Sequence, residues 1–317
     1  MSKFYKYFLC RILFAFSFLF LSVNLVLAEN EKLSVFVSIL PQKFFAERLL
    51  GENGTVEVLI GAGQSPHTYE PLPQQMGKLS RSNMFFTVGI PFERSLIGKL
   101  SSLCPNLKIV ATDANIEKLV MLDHEHHEHM HSNMQECHED EKHVEGEHHH
   151  NNNHEVGLDP HFWLDPERAS IMADNMAKAI VEAKPELSAF VESNLNKIKV
   201  ELKDLSDELS QKLIPFKGQT MLVFHPAFGY FATRFGLIQK AVEIEGKEPA
   251  PRQLANLIKN CKTEGIKVIF VQKQFPANTA ETIASSIGGK VLAIDPLAED
   301  YINNLKAMGE AVAGSAN

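Results

Sequence analysis

Cysteine is scarce in this chain, four residues in 317, and no two form a C-x-x-C pair. Cys10 lies close to the N-terminus, and the remaining Cys104, Cys137 and Cys261 are widely spaced and odd in number. Neither a disulfide framework nor a cysteine zinc knuckle is expected from them. A basic surplus is also lacking, with 31 Lys and Arg against 39 Asp and Glu, so nothing recruits nucleic acid or an anionic membrane surface. No repeat or adhesive module is present, and outside one histidine-rich stretch there is no H-E-x-x-H string. A zinc hydrolase, which also needs an open coordination position and a placed general base, is therefore disfavoured, and the chain is not expected to be an enzyme.

One long apolar run exists, and it is at the start. Lys3, Lys6 and Arg11 precede an apolar segment from about Ile12 to Val23, followed by Val26-Leu27-Ala28, the layout of a secretory signal peptide. The run is short for a membrane span of about 20 residues, and Cys10 stands before the apolar core rather than at the cleavage point. Cleavage after Ala28 and a soluble periplasmic product are expected. The mature chain would carry 28 basic and 39 acidic side chains, a formal charge of −11.

Histidine is distributed unevenly. Eleven of the fourteen lie between Asp123 and Glu155, namely His124, His126, His127, His129, His131, His138, His143, His148, His149, His150 and His154, among ten carboxylates and one lysine. Such a segment is too charged and too poor in apolar residues to fold by burial and is expected to be disordered. Histidines with pKa values near 6.5 are mostly neutral at pH 7 and able to bind metal. The stretch thus reads as an auxiliary collector with several weak positions, to which Cys137 offers a soft ligand.

In the mature chain strand-like runs alternate with helical ones: Leu33 to Ile39, Val56 to Ile60, Met84 to Val88 and Lys108 to Ala111, then Thr220 to Phe224, Ile238 to Val242, Val268 to Val271 and Val291 to Ile294. This rhythm predicts an α/β protein of two lobes with mainly parallel sheets. Between them apolar residues recur at Leu187, Val191, Leu195, Ile198, Leu202, Leu205, Leu209 and Leu213, steps of three or four that fit one helix face. With Pro185 in its first turn and Pro215 at its end, this segment predicts a strut of about 45 Å. The expected organisation is a signal peptide at 1–28, a first lobe at 29–184 containing the 123–155 stretch, a linker helix at 185–215 and a second lobe at 216–317.

Two of the three isolated histidines, His67 and His225, fall with Asp295 where such folds bind ligands, at the carboxyl ends of strands. His67 follows the second strand through Gly61-Ala62-Gly63-Gln64-Ser65-Pro66, and His225 and Asp295 directly follow Thr220 to Phe224 and Val291 to Ile294. His161 precedes Asp165-Pro166, which is placed to cap and open a helix. Three imidazoles and one carboxylate drawn from two lobes make a reasonable ligand set for Zn²⁺, and a closed set of four signals storage or structure rather than catalysis.

Four motifs in order carry a resemblance: Ser65-Pro66-His67-Thr68-Tyr69-Glu70-Pro71, Asp159-Pro160-His161-Phe162-Trp163-Leu164-Asp165-Pro166, Phe224-His225-Pro226-Ala227-Phe228-Gly229-Tyr230-Phe231, and Ile294-Asp295-Pro296-Leu297-Ala298-Glu299-Asp300. Over its whole mature length the chain resembles the zinc/manganese substrate-binding proteins of bacterial ABC transporters (cluster A-I), zinc type with a histidine-rich loop. The resemblance implies two Rossmann-like lobes joined by one backbone helix, with metal in the cleft between them. It implies His67 and His161 as ligands from the first lobe and His225 and Asp295 from the second. Manganese-type relatives often carry glutamate where His225 stands, so zinc is expected over manganese. Pro66 stands where some zinc-type relatives have an acidic residue, which favours Asp295 as fourth ligand. Asp159, Glu243 and Glu245 are candidate acceptors for the outer nitrogens of ligating histidines, while Trp163 is expected to serve packing. The implied partners are an ABC permease and its ATPase, which open the lobes to release the metal, and the receptor itself is expected to be monomeric. A manganese receptor or a metal-chelating surface adhesin is the alternative.

Overall fold

The computed structural model describes residues 32–121, 157–243, 247–275 and 277–316. The expected signal segment, the histidine-rich stretch with Cys137, and Glu245 lie outside the described residues.

Strands β1 (Leu33–Ile39), β2 (Gly54–Ile60), β3 (Met84–Thr87) and β4 (Lys108–Ala111) form one sheet in the order β2-β1-β3-β4. Strands β5 (Thr220–Val223), β6 (Ile238–Ala241), β7 (Val268–Gln272) and β8 (Lys290–Ile294) form a second in the order β6-β5-β7-β8. Every pairing within them is parallel. Helices α1 (Leu40–Leu50), α2 (Pro73–Leu79) and α3 (Pro91–Leu103) make the crossovers of the first sheet; α6 (Gly229–Phe235), α7 (Pro251–Thr263) and α8 (Asn278–Ile287) make those of the second. β3 and β7 are buried along their whole length. Strands covered by helices on both faces read as continuous apolar runs, which is why both were visible in the sequence.

Two helices lie between the sheets in sequence, α4 (Pro166–Ala183) and α5 (Ser188–Leu213). Asp165 opens α4 as expected, its side chain accepting from Glu167 N at 3.0 Å. α5 is 26 residues long, about 39 Å, and the short 3₁₀ turns Pro185–Leu187 and Ile214–Phe216 extend it at both ends. Its buried residues Val191, Ile198, Leu202, Leu205, Leu209 and Leu213 form the predicted stripe. α4 and α1 pack on this strut, and so does the final helix, α9 (Tyr301–Ala313). α9 approaches α5 so closely that a Cβ on Gly309 would lie 2.4 Å from Leu209 Cδ2. Although α9 follows the second sheet, its Tyr301 ring packs edge-on against Phe45 of α1, centroids 4.9 Å apart. Lys43 and Glu299 also pair at 2.5 Å between the same regions. One apolar core therefore runs from the first sheet through α5 into the second, and a smaller one lies under α7 and α8. A continuous core of this kind limits how far two lobes swing apart. Cys104 and Cys261 are free thiols.

Candidate metal centre

His67 reaches its place on a loop that folds on itself after β2. Gln64 N bonds Gly61 O at 3.2 Å, Thr68 N bonds Ser65 O at 3.3 Å, and His67 N bonds Ser65 Oγ at 3.3 Å. Gly63, at φ 75°, occupies the left-handed backbone region where a side chain would be strained. The residue as a whole is exposed, but its imidazole turns inward against His225 and Phe275. Desolvation, then the neighbouring His225 and His161, lower its pKa from 6.5 to about 4.

His161 is buried and held at both ends of its residue by one carboxylate. Asp159 Oδ1 accepts from His161 N at 2.9 Å and pairs with His161 Nδ1 at 2.7 Å. The segment around it is fastened to the second half of the chain. Tyr230 Oη donates to Asp159 O at 2.8 Å and accepts from Leu119 N at 2.9 Å. Trp163 Nε1 donates to Pro296 O at 2.8 Å, and Tyr301 Oη donates to Trp163 O at 2.6 Å. The packing role expected of Trp163 thus includes a hydrogen bond toward the Asp295 loop. The residues flanking the histidine-rich stretch meet here as well, through an antiparallel bridge of Val120 with Leu158.

His225 leaves the end of β5 beside β6, and Val242 N and Glu243 N bond Val223 O and Phe224 O at 2.8 and 3.0 Å. This adjacency brings Glu243 to His225, where its carboxylate pairs with Nδ1. Burial lowers the His225 pKa, and the bond to Glu243 opposes the shift. Of the three unranked carboxylates, the structure thus sets Asp159 behind His161 and Glu243 behind His225. Gln272 locks the His225 backbone, donating to its carbonyl at 2.6 Å and accepting from its N–H at 3.3 Å. Phe275 stacks on the imidazole, centroids 5.1 Å apart.

With each Nδ1 turned to a carboxylate, the Nε2 lone pairs of His161 and His225 are left for a ligand. His67 Nε2 and His225 Nε2 are 3.1 Å apart, near the ~3.3 Å that two nitrogens adopt around one tetrahedral zinc ion. All three imidazoles line a single cavity with about 20 Å³ open to a water-sized sphere, slightly more than the ~10–15 Å³ one such sphere requires. As the side chains stand, among the described residues no three His, Cys, Asp or Glu side chains form a closed metal set.

Sequence reasoning did not single out Gln272, Gln274 and Phe275, although they sit at the end of β7 by the same strand-end rule that selected His225 and Asp295. Asp295 directly follows β8 and is not one of the cavity's lining residues, while Gln274, Pro296 and Leu297 are. Its Oδ1 accepts from Gln274 Nε2 at 2.9 Å and from Leu297 N at 3.0 Å. The auxiliary histidines from His124 to His154 lie outside the described residues, as does the one H-E-x-x-H string, at His127 to His131.

The chain is 30% identical over 275 residues to the zinc-binding protein AdcA of Streptococcus pyogenes serotype M3, matching 86% of its own length but spanning about half, 52%, of that relative. The crystal structure of ZnuA superposes with a TM-score of 0.78 at 32% identity, covering 90% of this chain and all of that one. A ZnuA deletion mutant with zinc bound superposes at 0.76, also at 32% identity, covering 90% of this chain and 98% of that one. Residues 35–314 match the family model described as zinc-uptake complex component A, periplasmic, and the chain belongs to that family.

Proposed function

We propose that this chain is the zinc receptor of an ABC importer, binding Zn²⁺ in the periplasm after loss of residues 1–28 and delivering it to a membrane permease with its ATPase. Residues 29–184 and 216–317 act as the two lobes about the 185–215 helix. One observation carries the reading. Two imidazoles on separate segments, His161 and His225, each have Nδ1 tied to a buried carboxylate, and with His67 they line one cavity. This is the arrangement that fixes histidine tautomers and strengthens them as metal ligands. His67, His161 and His225 supply the nitrogens, and Asp295 supplies negative charge from the second lobe. Three nitrogens favour zinc over manganese. No bond in the cargo has to break, so the site requires no placed base, and the protein acts as a carrier rather than an enzyme.

Release follows from where the ligands are anchored. His161 belongs to a segment bonded to the second half through Tyr230, Trp163 and Tyr301, whereas His67 stands on a loop whose own hydrogen bonds are local. Separation of the His67 loop from the other two imidazoles breaks the site at small structural cost, which suits a core that is continuous between the sheets.

The test is competitive titration of residues 29–317, with and without Asp123 to Glu155, against Zn²⁺ and Mn²⁺. One tight zinc site that survives the deletion, is lost in His225→Ala and binds manganese far more weakly is the expected result. Comparable manganese affinity overturns the metal assignment. A tight site that vanishes with the deletion would place its ligands in the histidine-rich stretch.

A further inference from the structure

β7 ends on Gln272, whose buried amide is bonded at both its oxygen and its nitrogen to the His225 backbone. Lys273 then points outward, and Gln274, two residues on, returns to the cavity wall. Its Nε2 donates to Asp295 Oδ1, and its Oε1 is buried with no hydrogen-bond partner, the one such side-chain nitrogen or oxygen among the described residues. A buried amide oxygen left alone is costly, so it calls for a partner. Nor is the amide free to turn over. The reversed orientation would aim the carbonyl oxygen at the Asp295 carboxylate, acceptor against acceptor, and leave the NH₂ unpaired. The carboxylate therefore dictates which end of Gln274 is left free.

We propose that Gln274 Oε1 is the fourth donor to the zinc ion and that Asp295 acts on the metal through Gln274, by orienting and polarising its amide, without touching the ion. This rests on the three-histidine reading above. A cavity with room for one small occupant fits a fourth donor from a residue that already belongs to its lining. Asp295, by contrast, does not line the cavity, and its Oδ1 is held by Gln274 Nε2 and Leu297 N. A neutral amide oxygen also binds zinc less firmly than a carboxylate, and a receptor that must surrender its metal benefits from that.

The experiment compares Gln274→Leu and Asp295→Asn in residues 29–317, by competition titration with Zn²⁺ and by the visible spectrum of the Co²⁺-loaded protein. Asparagine at 295 still accepts from Gln274 Nε2, so Asp295→Asn is expected to stay within about 3-fold of wild type with an unchanged cobalt spectrum. Gln274→Leu is expected to weaken zinc by about 10-fold or more and to alter the cobalt bands, a change in coordination that general loosening of the fold would not produce. Gln274→Met, equally long but without the oxygen, repeats the test if leucine impairs folding. The reverse ranking, with Asp295→Asn losing the metal and Gln274→Leu binding normally, makes Asp295 the ligand and overturns the proposal. Wild-type affinity in His225→Ala would instead overturn the three-histidine site itself, whatever the result at 274.

Discussion

At the carboxyl end of β1, Ser38 donates to the buried carboxylate of Glu93, which also accepts from Val88 N at 2.9 Å and Gly89 N at 2.7 Å. At the same end of β5 stands His225, fixed by Gln272 and Glu243 and facing the cavity. The two places correspond in the sheets: Val37 pairs with Phe86 in the first, and Val223 with Phe270 in the second. In open α/β sheets this switch point is where ligands bind. Here one lobe closes it with a carboxylate that ties its own loops together, while the other leaves an imidazole there. Strand order supplies the location, and the side chain that leaves the strand decides whether the location becomes a site.

The comparison is broken most forcefully by exchanging charge for an amide at each carboxylate. Glu93 lies 1% exposed, and burial pushes its pKa from 4.5 up to about 7 against the hydrogen bonds it accepts. The folded state then holds a proton that the unfolded chain has already lost, so stability falls as pH rises from 4.5 to 7 and is level above that. The expected loss is about 3 kcal/mol. Glu93→Gln should remove that slope from urea unfolding while leaving zinc affinity within about 2-fold, since Glu93 does not line the cavity. Glu243→Gln and Asp159→Asn should do the opposite, weakening zinc by about 10–100-fold in competition titration. If Glu93→Gln weakened zinc as much as Glu243→Gln, the two strand ends would not be separate in function.

Much of this contrast was visible before the structure. β1 and β4 match their expected limits, and α5 the predicted strut, because short apolar runs bounded by turns and a long amphipathic face leave strong local signals. The lone histidines stood out because a titratable residue just after an apolar run is unusual. Their carboxylate partners were not separable, since Glu243 reaches His225 only because β6 lies beside β5, and strand order is not written locally. Gln274 left no signal at all. An amide in a turn is chemically ordinary until the bond to Asp295, 21 positions away, leaves its oxygen unpartnered.

Tyr230 sharpens the comparison from the other side, since one hydroxyl of the second half holds both Leu119 and Asp159 of the first. Burial raises its pKa to about 12, so the phenol keeps its proton across the working range and acts as a fixed clamp. Tyr230→Phe leaves a backbone N–H and a carbonyl without this partner, a stability loss on the order of 1 kcal/mol in urea unfolding. Because Asp159 positions His161, zinc affinity should fall too, by less than in Asp159→Asn. Unchanged affinity would show that the Asp159 carboxylate keeps its position without the clamp on its carbonyl.

The smallest effect belongs to His67, and it runs opposite in sign to that of Glu93. Its pKa is depressed in the fold, from 6.5 to about 4, so between those values the unfolded chain binds a proton that the folded chain refuses. Above pH 6.5 the residue contributes nothing to the pH dependence, and as pH falls through the window toward 4 it costs stability. His67→Gln should therefore flatten the acid side of the curve, just as Glu93→Gln flattens the decline toward neutral pH. The change should be the more modest because the residue is exposed and solvent screens part of the interaction. Urea midpoints of the metal-free protein at pH 7 and pH 5 measure it. The same depression keeps the imidazole unprotonated at pH 5 and ready for metal, since a ligating histidine must be neutral. If His67→Gln and wild type lost stability in parallel between pH 7 and 5, the imidazole would have to be open to water in the metal-free protein rather than turned in against His225.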